Sequence, residues 1–294
     1  MVQQPRIKEL TIISGKGGTG KTSLTASFAA LAEHAVLSDC DVDAANLHLI
    51  IKHHIIQSEP FISGYTASID QERCIGCGLC ASPCTFEAIA LHDGRYVIDH
   101  VRCEGCGLCV DICPVDAIDF LPAECGTWMV SETEYGPMVH AQLHAAAENS
   151  GKLVTVVRKK ARSLAEEQHR SLIITDGPPG IGCPVIASLT GTDAVLIVAE
   201  PSASAFHDIE RVGRLAQSFE IPVFGCINKY DIDVHLSEKI EEFMVSHGYV
   251  FSGTVGYDTS IVDAQTKQTH PLEIVSKETR KRIQHIWETV WKHM

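Results

Sequence analysis

Twelve cysteines punctuate this 294-residue chain, and eight of them fall between positions 74 and 113. Those eight write one pattern twice, Cys74-Ile-Gly-Cys77-Gly-Leu-Cys80-Ala-Ser-Pro-Cys84 and, 29 residues on, Cys103-Glu-Gly-Cys106-Gly-Leu-Cys109-Val-Asp-Ile-Cys113. Thiols this closely spaced either cross-link or bind metal. Met1-Val2-Gln3-Gln4-Pro5-Arg6 lacks the apolar core of a leader, so a reducing cytoplasm is expected and metal is the chemistry. A second group, Gly15-Lys16-Gly17-Gly18-Thr19-Gly20-Lys21-Thr22, fits G-x-x-x-x-G-K-[ST]. Its glycines let backbone N–H groups turn toward phosphate oxygens, and a helix beginning behind them adds a positive field. In such a loop Lys21 contacts the β- and γ-phosphates and the Thr22 hydroxyl holds Mg²⁺. Asp39 and Asp41 follow one expected strand and Asp176 ends another, the positions from which acids reach Mg²⁺.

The elements that must hold these groups follow an alternating pattern. Ile7–Ile13 reads as a strand before the Gly-rich loop, Ser23–His34 as a helix and Ala35–Ser38 as a second strand. Leu153–Val157, Leu172–Thr175, Ala194–Ala199 and Pro222–Ile227 are β-branched-rich strand candidates. Helical periodicity over Ala205–Phe219 and Ser237–His247 separates later ones. Alternation of this kind predicts an α/β fold, a mostly parallel sheet covered by helices. The cysteine repeat interrupts it after the second strand, so a small α+β domain over 63–121 is expected inside a larger one made of 1–62 and 122–294. A unit so small has little core of its own and needs metal to hold it. Between the two copies, Tyr96–Asp99 reads as a short strand.

The repeat resembles the bacterial two-cluster ferredoxins, in which the fourth cysteine of each run ligates the other cluster. On that resemblance Cys74, Cys77, Cys80 and Cys113 hold one [4Fe–4S] cluster, and Cys103, Cys106, Cys109 and Cys84 hold the second. Structural zinc sites use pairs of ligands with longer spacers, which this pattern does not match. Thr85 stands where a proline usually follows the fourth cysteine, a departure that removes no ligand.

Lys16, five residues ahead of Lys21, makes the phosphate loop resemble the deviant Walker A motif of the MinD/ParA/Mrp ATPases, which include the nitrogenase iron protein. The resemblance implies ATP and Mg²⁺, with Lys21 acting in cis and Lys16 reaching across a dimer to the partner's phosphates. It also implies that Asp41 orients the attacking water, that Asp39 lies near the Mg²⁺ shell and that Asp176-Gly-Pro-Pro-Gly180 forms the second switch. Asn228-Lys229-Tyr230-Asp231 fits the Asn-Lys-x-Asp guanine reader of GTPases and is also an ordinary strand-end turn. In the resembled family an asparagine here contacts adenine, which favours ATP. With the cysteine repeat inserted after Asp39-Cys40-Asp41, the whole chain resembles MinD-superfamily ATPases that contain a ferredoxin domain.

Charge and composition bound the rest. Lys and Arg number 24 against 37 Asp and Glu, a net charge of −13, which argues against nucleic-acid binding. No apolar run approaches the roughly 18–20 residues that cross a bilayer. Ile283, Ile286, Trp287, Val290 and Trp291 recur at helical spacing among Lys277, Arg280, Lys281 and Arg282, a basic amphipathic helix expected to pack on the sheet rather than touch membrane. Cys40 and Cys226 read as core residues, whereas Cys125 and Cys183 are either ordinary thiols or metal ligands. Ser131–His140 reads as a surface loop, and the fifteen histidines as mostly exposed with no ligand spacing. Function is expected to be ATP-gated electron transfer to a redox or cofactor-assembly client, by a homodimer or a heterodimer with a paralogous ATPase. The alternatives are a cluster-assembly or carrier ATPase and a positional switch.

Overall fold

The computed structural model describes residues 6–32, 34–145, 147, 149–267 and 269–294. Met1–Pro5, on which the expectation about a leader rests, lie outside them. The first half of the chain runs β1 (Lys8–Ser14), α1 (Lys21–Leu31), β2 (Val36–Asp39), α2 (Leu47–Ile50), β3 (His53–Ile69), β4 (Ile89–His92), β5 (Arg95–Ile98) and α3 (Leu108–Asp111). Next come β6 (Ile118–Thr133), β7 (Gly136–Leu143), α4 (Ser150–Glu167), β8 (Leu172–Pro179), α5 (Cys183–Leu189) and β9 (Ala194–Ala199). The chain ends α6 (Ala205–Ser218), β10 (Val223–Asn228), α7 (Val234–Ser246), β11 (Val250–Val255), α8 (Thr259–Lys267), α9 (Pro271–Ile274) and α10 (Lys277–His293). Two compact units result: residues through Glu59 with Trp128–Gln142 and Ser150–Met294, and Pro60–Thr127 with Leu143–Asn149.

The larger unit is organised by a sheet of order β11-β10-β9-β1-β8-β2-β7-β6-β3. From β11 through β7 each neighbouring pair is parallel. Successive residues of a strand point to opposite faces, and the core divides accordingly. Leu10 and Ile12 of β1 and Leu196 and Val198 of β9 join Phe28 of α1 and Ile286 and Val290 of α10. Ile13, Val195 and Ile197 instead pack with Val185, Ile209, Val212 and Ile240 of α5, α6 and α7. With helices over both faces, the central strands carry near-continuous apolar runs, as a buried parallel sheet requires.

Two expectations change here. Leu153–Val157 is not a strand but part of α4, whose buried Leu153, Val154, Val157, Ala161, Leu164 and Ala165 trace a helical stripe along 18 residues. Periodicity over that length outweighs the local strand preference of three valines. Ser131–His140 is not a surface loop: it closes β6, turns at Glu134 and Tyr135, and opens β7, with Val130, Ser131, Met138, Val139 and His140 buried. At that turn the Thr133 hydroxyl donates to the Gly136 carbonyl at 2.7 Å and accepts from the Tyr135 N–H at 3.1 Å. The histidines are mostly exposed, as expected, with a few exceptions. His140 and His270 are buried, and His48, His53 and His140 gather with ring centroids 5.6–5.8 Å apart. Burial pushes the His140 imidazole down to about 4. These histidines come from α2, β3 and β7, so no local spacing announced them.

In the smaller unit the two cysteine runs repeat in conformation as well as in sequence. Gly76, Gly78 and Glu87 have positive φ, as do Gly105, Gly107 and Asp116, each 29 residues later. The Cys74 and Cys103 N–H groups donate to the carbonyls of Asp70 and Asp99, and Ala88-Ile89 and Ala117-Ile118 are the matching buried pairs. The Asp99 N–H donates to Ala88 and the Asp70 N–H to Ala117, so each run is tied to the end of the other. β4 and β5 form an antiparallel hairpin whose turn residues Asp93 and Gly94 both take positive φ, the signature of a tight two-residue turn.

The C-terminal helix packs as expected. Ile283, Ile286, Trp287 and Val290 are buried, Trp287 meets Phe28 with centroids 5.2 Å apart, and Trp291 stays 43% exposed. Among the described residues no helix is long and apolar enough to cross a membrane. Trp287→Ala should cost about 3–5 kcal/mol of stability, and Trp291→Ala less than about 1 kcal/mol. Denaturant unfolding followed by far-UV circular dichroism checks the difference.

Candidate functional site

The phosphate loop leaves β1 at Ser14 and enters α1 at Lys21. Gly20 caps the helix at φ 89°, and a Cβ there would run into the Asn228 amide. That amide Nδ2 donates to the Thr19 carbonyl at 2.8 Å, tying the end of β10 to the loop. Glycine at 20 is therefore required both by handedness and by approach.

Lys21 is 6% exposed, with its Nζ 3.2 Å from Asp176 Oδ1 and 3.5 Å from Asp41 Oδ2. Burial pulls its ammonium down, but Asp176, Asp41 and Asp39 outweigh it, so Lys21 is held above its ordinary value and stays charged. Asp176 and Asp39 are register partners on β8 and β2. Thr25 Oγ1 also donates to Asp176 Oδ1 at 3.0 Å, while Asp176 Oδ2 is buried without a partner, as is Thr19 Oγ1. Asp39 accepts from the N–H groups of Asp41 at 3.2 Å and Leu47 at 3.0 Å, which fixes the turn carrying Asp41. Burial, and then the Asp176 charge, pushes the Asp39 carboxyl up to about 8, and burial also raises Asp41. Asp176 keeps one oxygen without a partner, and Thr22 and Asp41 line the cavity; hard oxygen donors of this kind, together with phosphate oxygens, are what Mg²⁺ takes.

Above this charge cluster opens a cavity of about 670 Å³, a nucleotide-sized space. Of the residues singled out in the sequence, Gly17, Gly18, Thr19, Gly20, Lys21, Thr22, Asp41 and Asn228 line it, whereas Asp39 and Asp176 are fully buried and do not. Its apolar wall is Leu49 and Ile50 of α2, Pro178, Pro179 and Pro184, and Ile261 and Val262 of α8. Pro178 and Pro179 belong to the expected second switch, but the α2 and α8 parts of the wall were not legible beforehand, because those helices are distant in sequence and carry no motif. Gly15 does not line the cavity; a Cβ there would strike Asp208 of α6. Asp231 also stays outside: its Oδ1 accepts from the Tyr257 N–H at 2.6 Å, so it fixes the loop that brings Tyr257 to the rim. Lys16 points away from the lining and pairs with Glu200 Oε1 at 2.8 Å. Lys229, given no role from sequence, donates to the Gly18 carbonyl at 2.8 Å.

The ferredoxin-type cysteines surround two separate cavities. Cys74, Cys77, Cys80 and Cys113 rim one, and Cys84, Cys103, Cys106 and Cys109 rim the other, with Cys80 also touching the second. Among the described residues no three His, Cys, Asp or Glu side chains converge on a single-ion site. Thiols arranged around a cage rather than a point suit a cubane cluster. The Ala117 N–H already donates to Cys113 Sγ at 3.3 Å. Burial and neighbouring thiols raise Cys80 and Cys109, so iron binding there displaces protons. The remaining four cysteines differ sharply. Cys40 and Cys226 are core thiols pushed up to about 12 by burial, and Cys125 is buried and donates to the Ser63 carbonyl at 3.1 Å. Cys183, at the start of α5, is exposed.

A mostly parallel sheet with a phosphate loop between β1 and α1, an acid at the end of β2 and another in the second half of β8 defines a MinD/ParA-like P-loop ATPase fold. Residues 67–120 match the family described as "4Fe-4S dicluster domain". The chain is 35% identical over 229 residues to the uncharacterized protein MJ0578 of Methanocaldococcus jannaschii, spanning 76% of this chain and 78% of that protein. A second protein of that organism, MJ0579, is 25% identical over 263 residues, 88% and 89% of the two chains. Among solved structures, the septum site-determining protein MinD of Pyrococcus horikoshii, complexed with Mg-ADP, superposes with a TM-score of 0.59 at 15% identity, covering 98% and 97% of the two chains. A ParA family ATPase of Chlorobium tepidum gives 0.56 at 16%, covering 96% and 98%. The chain belongs to the family of MJ0578, a MinD/ParA-like P-loop ATPase fold with an embedded 4Fe–4S dicluster domain.

The raised Asp39 carboxyl gives a pH test. Between its ordinary value near 3.8 and about 8 the folded chain holds a proton that the unfolded chain releases. Asp39 therefore supports folding at low pH, and that support is lost as pH rises through about 8. Without nucleotide or Mg²⁺, the urea midpoint should fall from pH 6 to pH 8.5 more steeply for the native chain than for Asp39→Asn.

Proposed function

We propose that this protein hydrolyses ATP to ADP and phosphate in a dimer and uses nucleotide-driven closure to control electron transfer through two [4Fe–4S] clusters. One observation carries the reading: each crossed set of four cysteines rims its own cavity in the same chain whose phosphate loop faces a nucleotide-sized one. The segment from Asp41 to Cys74 also comprises only α2, whose Leu49 and Ile50 line the nucleotide cavity, and β3. In this reading α2 and β3 are the stretch of chain that joins the nucleotide cavity to the first cysteine.

In this reading the backbone of Gly17–Thr22 and the Lys21 ammonium hold the phosphates, and Thr22 and Asp176 hold Mg²⁺. Mg²⁺ neutralises charge on the transferring phosphoryl group. Asp41 orients the attacking water, Asn228 sits by the base, and Lys16 completes the partner's site. A charge supplied in trans makes hydrolysis conditional on closure, for the same electrostatic reason as an arginine finger. The partner subunit is a second copy or a paralogous ATPase, and the electron acceptor is a redox or cofactor-assembly protein. A carrier role is less well supported, because a carrier needs labile exposed thiols. Of the four cysteines outside the repeat, Cys183 alone is exposed.

Protein purified without oxygen should contain about eight irons per chain, and Cys84→Ser and Cys113→Ser should each lose up to about four. Zinc without sulfide would remove the cluster reading. Lys16→Ala should bind Mg-ATP normally and lose at least tenfold in hydrolysis. Adding Mg-ATP should change the electron paramagnetic resonance spectrum of the reduced clusters; an unchanged spectrum during turnover would mean that the two chemistries are independent.

A further inference from the structure

Glu200 follows the last residue of β9 and stands where two lysines meet. Its Oε1 is 2.8 Å from Lys16 Nζ, and its Oε2 is 2.9 Å from Lys229 Nζ. Lys16 also donates to Ser202 Oγ at 3.0 Å, and Lys229 to the Gly18 carbonyl at 2.8 Å. Burial acts to raise the Glu200 carboxyl, but hydrogen bonds from the two ammonium groups outweigh it and hold the group below its ordinary value.

The two lysines are not equivalent. Lys229 is bound at both ends of its reach, to the carboxylate and to the phosphate loop. The Lys16 side chain, 37% exposed, has Glu200 and Ser202 as its partners. When Lys16 leaves, Glu200 keeps one ammonium and is not stranded as a lone half-buried charge. When Lys16 stays, its charge is directed at its own subunit and not outward. Departure of Lys16 is therefore the low-cost motion of this cluster.

We propose that Glu200 is a latch: a positioning residue that holds Lys16 on its own subunit until a partner subunit presents nucleotide phosphates. The inference rests on the reading of Lys16 as the group that acts across the dimer. Phosphate must compete with Glu200 for the ammonium, so the latch raises the threshold for closure and keeps isolated subunits apart. Dimer formation is then governed by a carboxylate that touches neither substrate nor the reacting atoms.

Sedimentation velocity with Mg²⁺ and a non-hydrolysable ATP analogue tests this. Glu200→Gln removes the charge and keeps the shape, and it should lower the protein concentration at half-dimerisation three- to tenfold, as expected on losing a partly exposed ion pair. Ser202→Ala should shift it in the same direction by less, and it carries the test if Glu200→Gln does not fold. Mg-ADP affinity should be unchanged in both. Lys229→Ala leaves Glu200 with Lys16 and should not lower the midpoint; a fall equal to that of Glu200→Gln would mean that Glu200 acts through Lys229, and overturns the latch. An unmoved midpoint in Glu200→Gln and Ser202→Ala overturns it as well. Turnover separates the two levels: if Lys16→Ala loses hydrolysis while the midpoints stay unmoved, only the latch fails. If Lys16→Ala hydrolyses ATP at the native rate, the trans reading itself fails and the latch falls with it.

Discussion

One buried ammonium among three carboxylates organises the larger unit. Lys21 is 6% exposed and is charged because Asp39, Asp41 and Asp176 surround it. Each group arrives from a different piece of chain: the start of α1, the end of β2 and the turn after it, and the second half of β8. Parallel strands deliver their C-terminal ends to one edge of the sheet, so the acids meet the loop without further arrangement. The cluster carries one negative charge too many for each additional carboxylate beyond the first. Burial answers by raising Asp39 and Asp41, and Asp176 is left with one buried oxygen that has no partner. A site built this way is poised to accept a divalent cation with a polyphosphate.

The smaller unit depends on another kind of constraint. Its buried apolar residues are few, chiefly Phe61, Ala67, Ala88, Ile89, Ala117 and Ile118, which is too little to order some 70 residues unaided. The repeat compensates through geometry. The same glycines take positive φ in both runs, and the Asp70–Ala117 and Asp99–Ala88 hydrogen bonds tie each run to the end of the other. Because the runs are interlocked, the fourth cysteine of each stands at the other's cavity. Metal–thiolate bonds would then supply the cohesion that the core lacks.

The places where sequence reading fell short have different causes. Leu153–Val157 has the composition of a strand, and only its continuation to Ala165 reveals the buried stripe of a helix. Ser131–His140 has no period, yet it pairs beside β2 because an edge of the sheet was open to it. Asp231 sits in a motif that fits a base reader and an ordinary strand-end turn alike, and its Oδ1 accepts from the Tyr257 N–H. The apolar wall of Leu49, Ile50, Ile261 and Val262 and the Glu200–Lys16 pair join residues more than 180 positions apart. No window of sequence contains both halves of such a contact.

The amino-acid sequence alone determined the chemistry: a phosphate loop, acids at two strand ends, and eight thiols at cluster spacing. Those signals are local, since a helix N-terminus or a tight cysteine turn needs only adjacent residues and glycines that tolerate positive φ. Tertiary structure alone decided which acid keeps a free oxygen, what forms the nucleotide wall, and where the Lys16 charge rests. Each of those depends on burial and on partners from distant strands. Desolvation and long-range pairing exist only once the chain has folded.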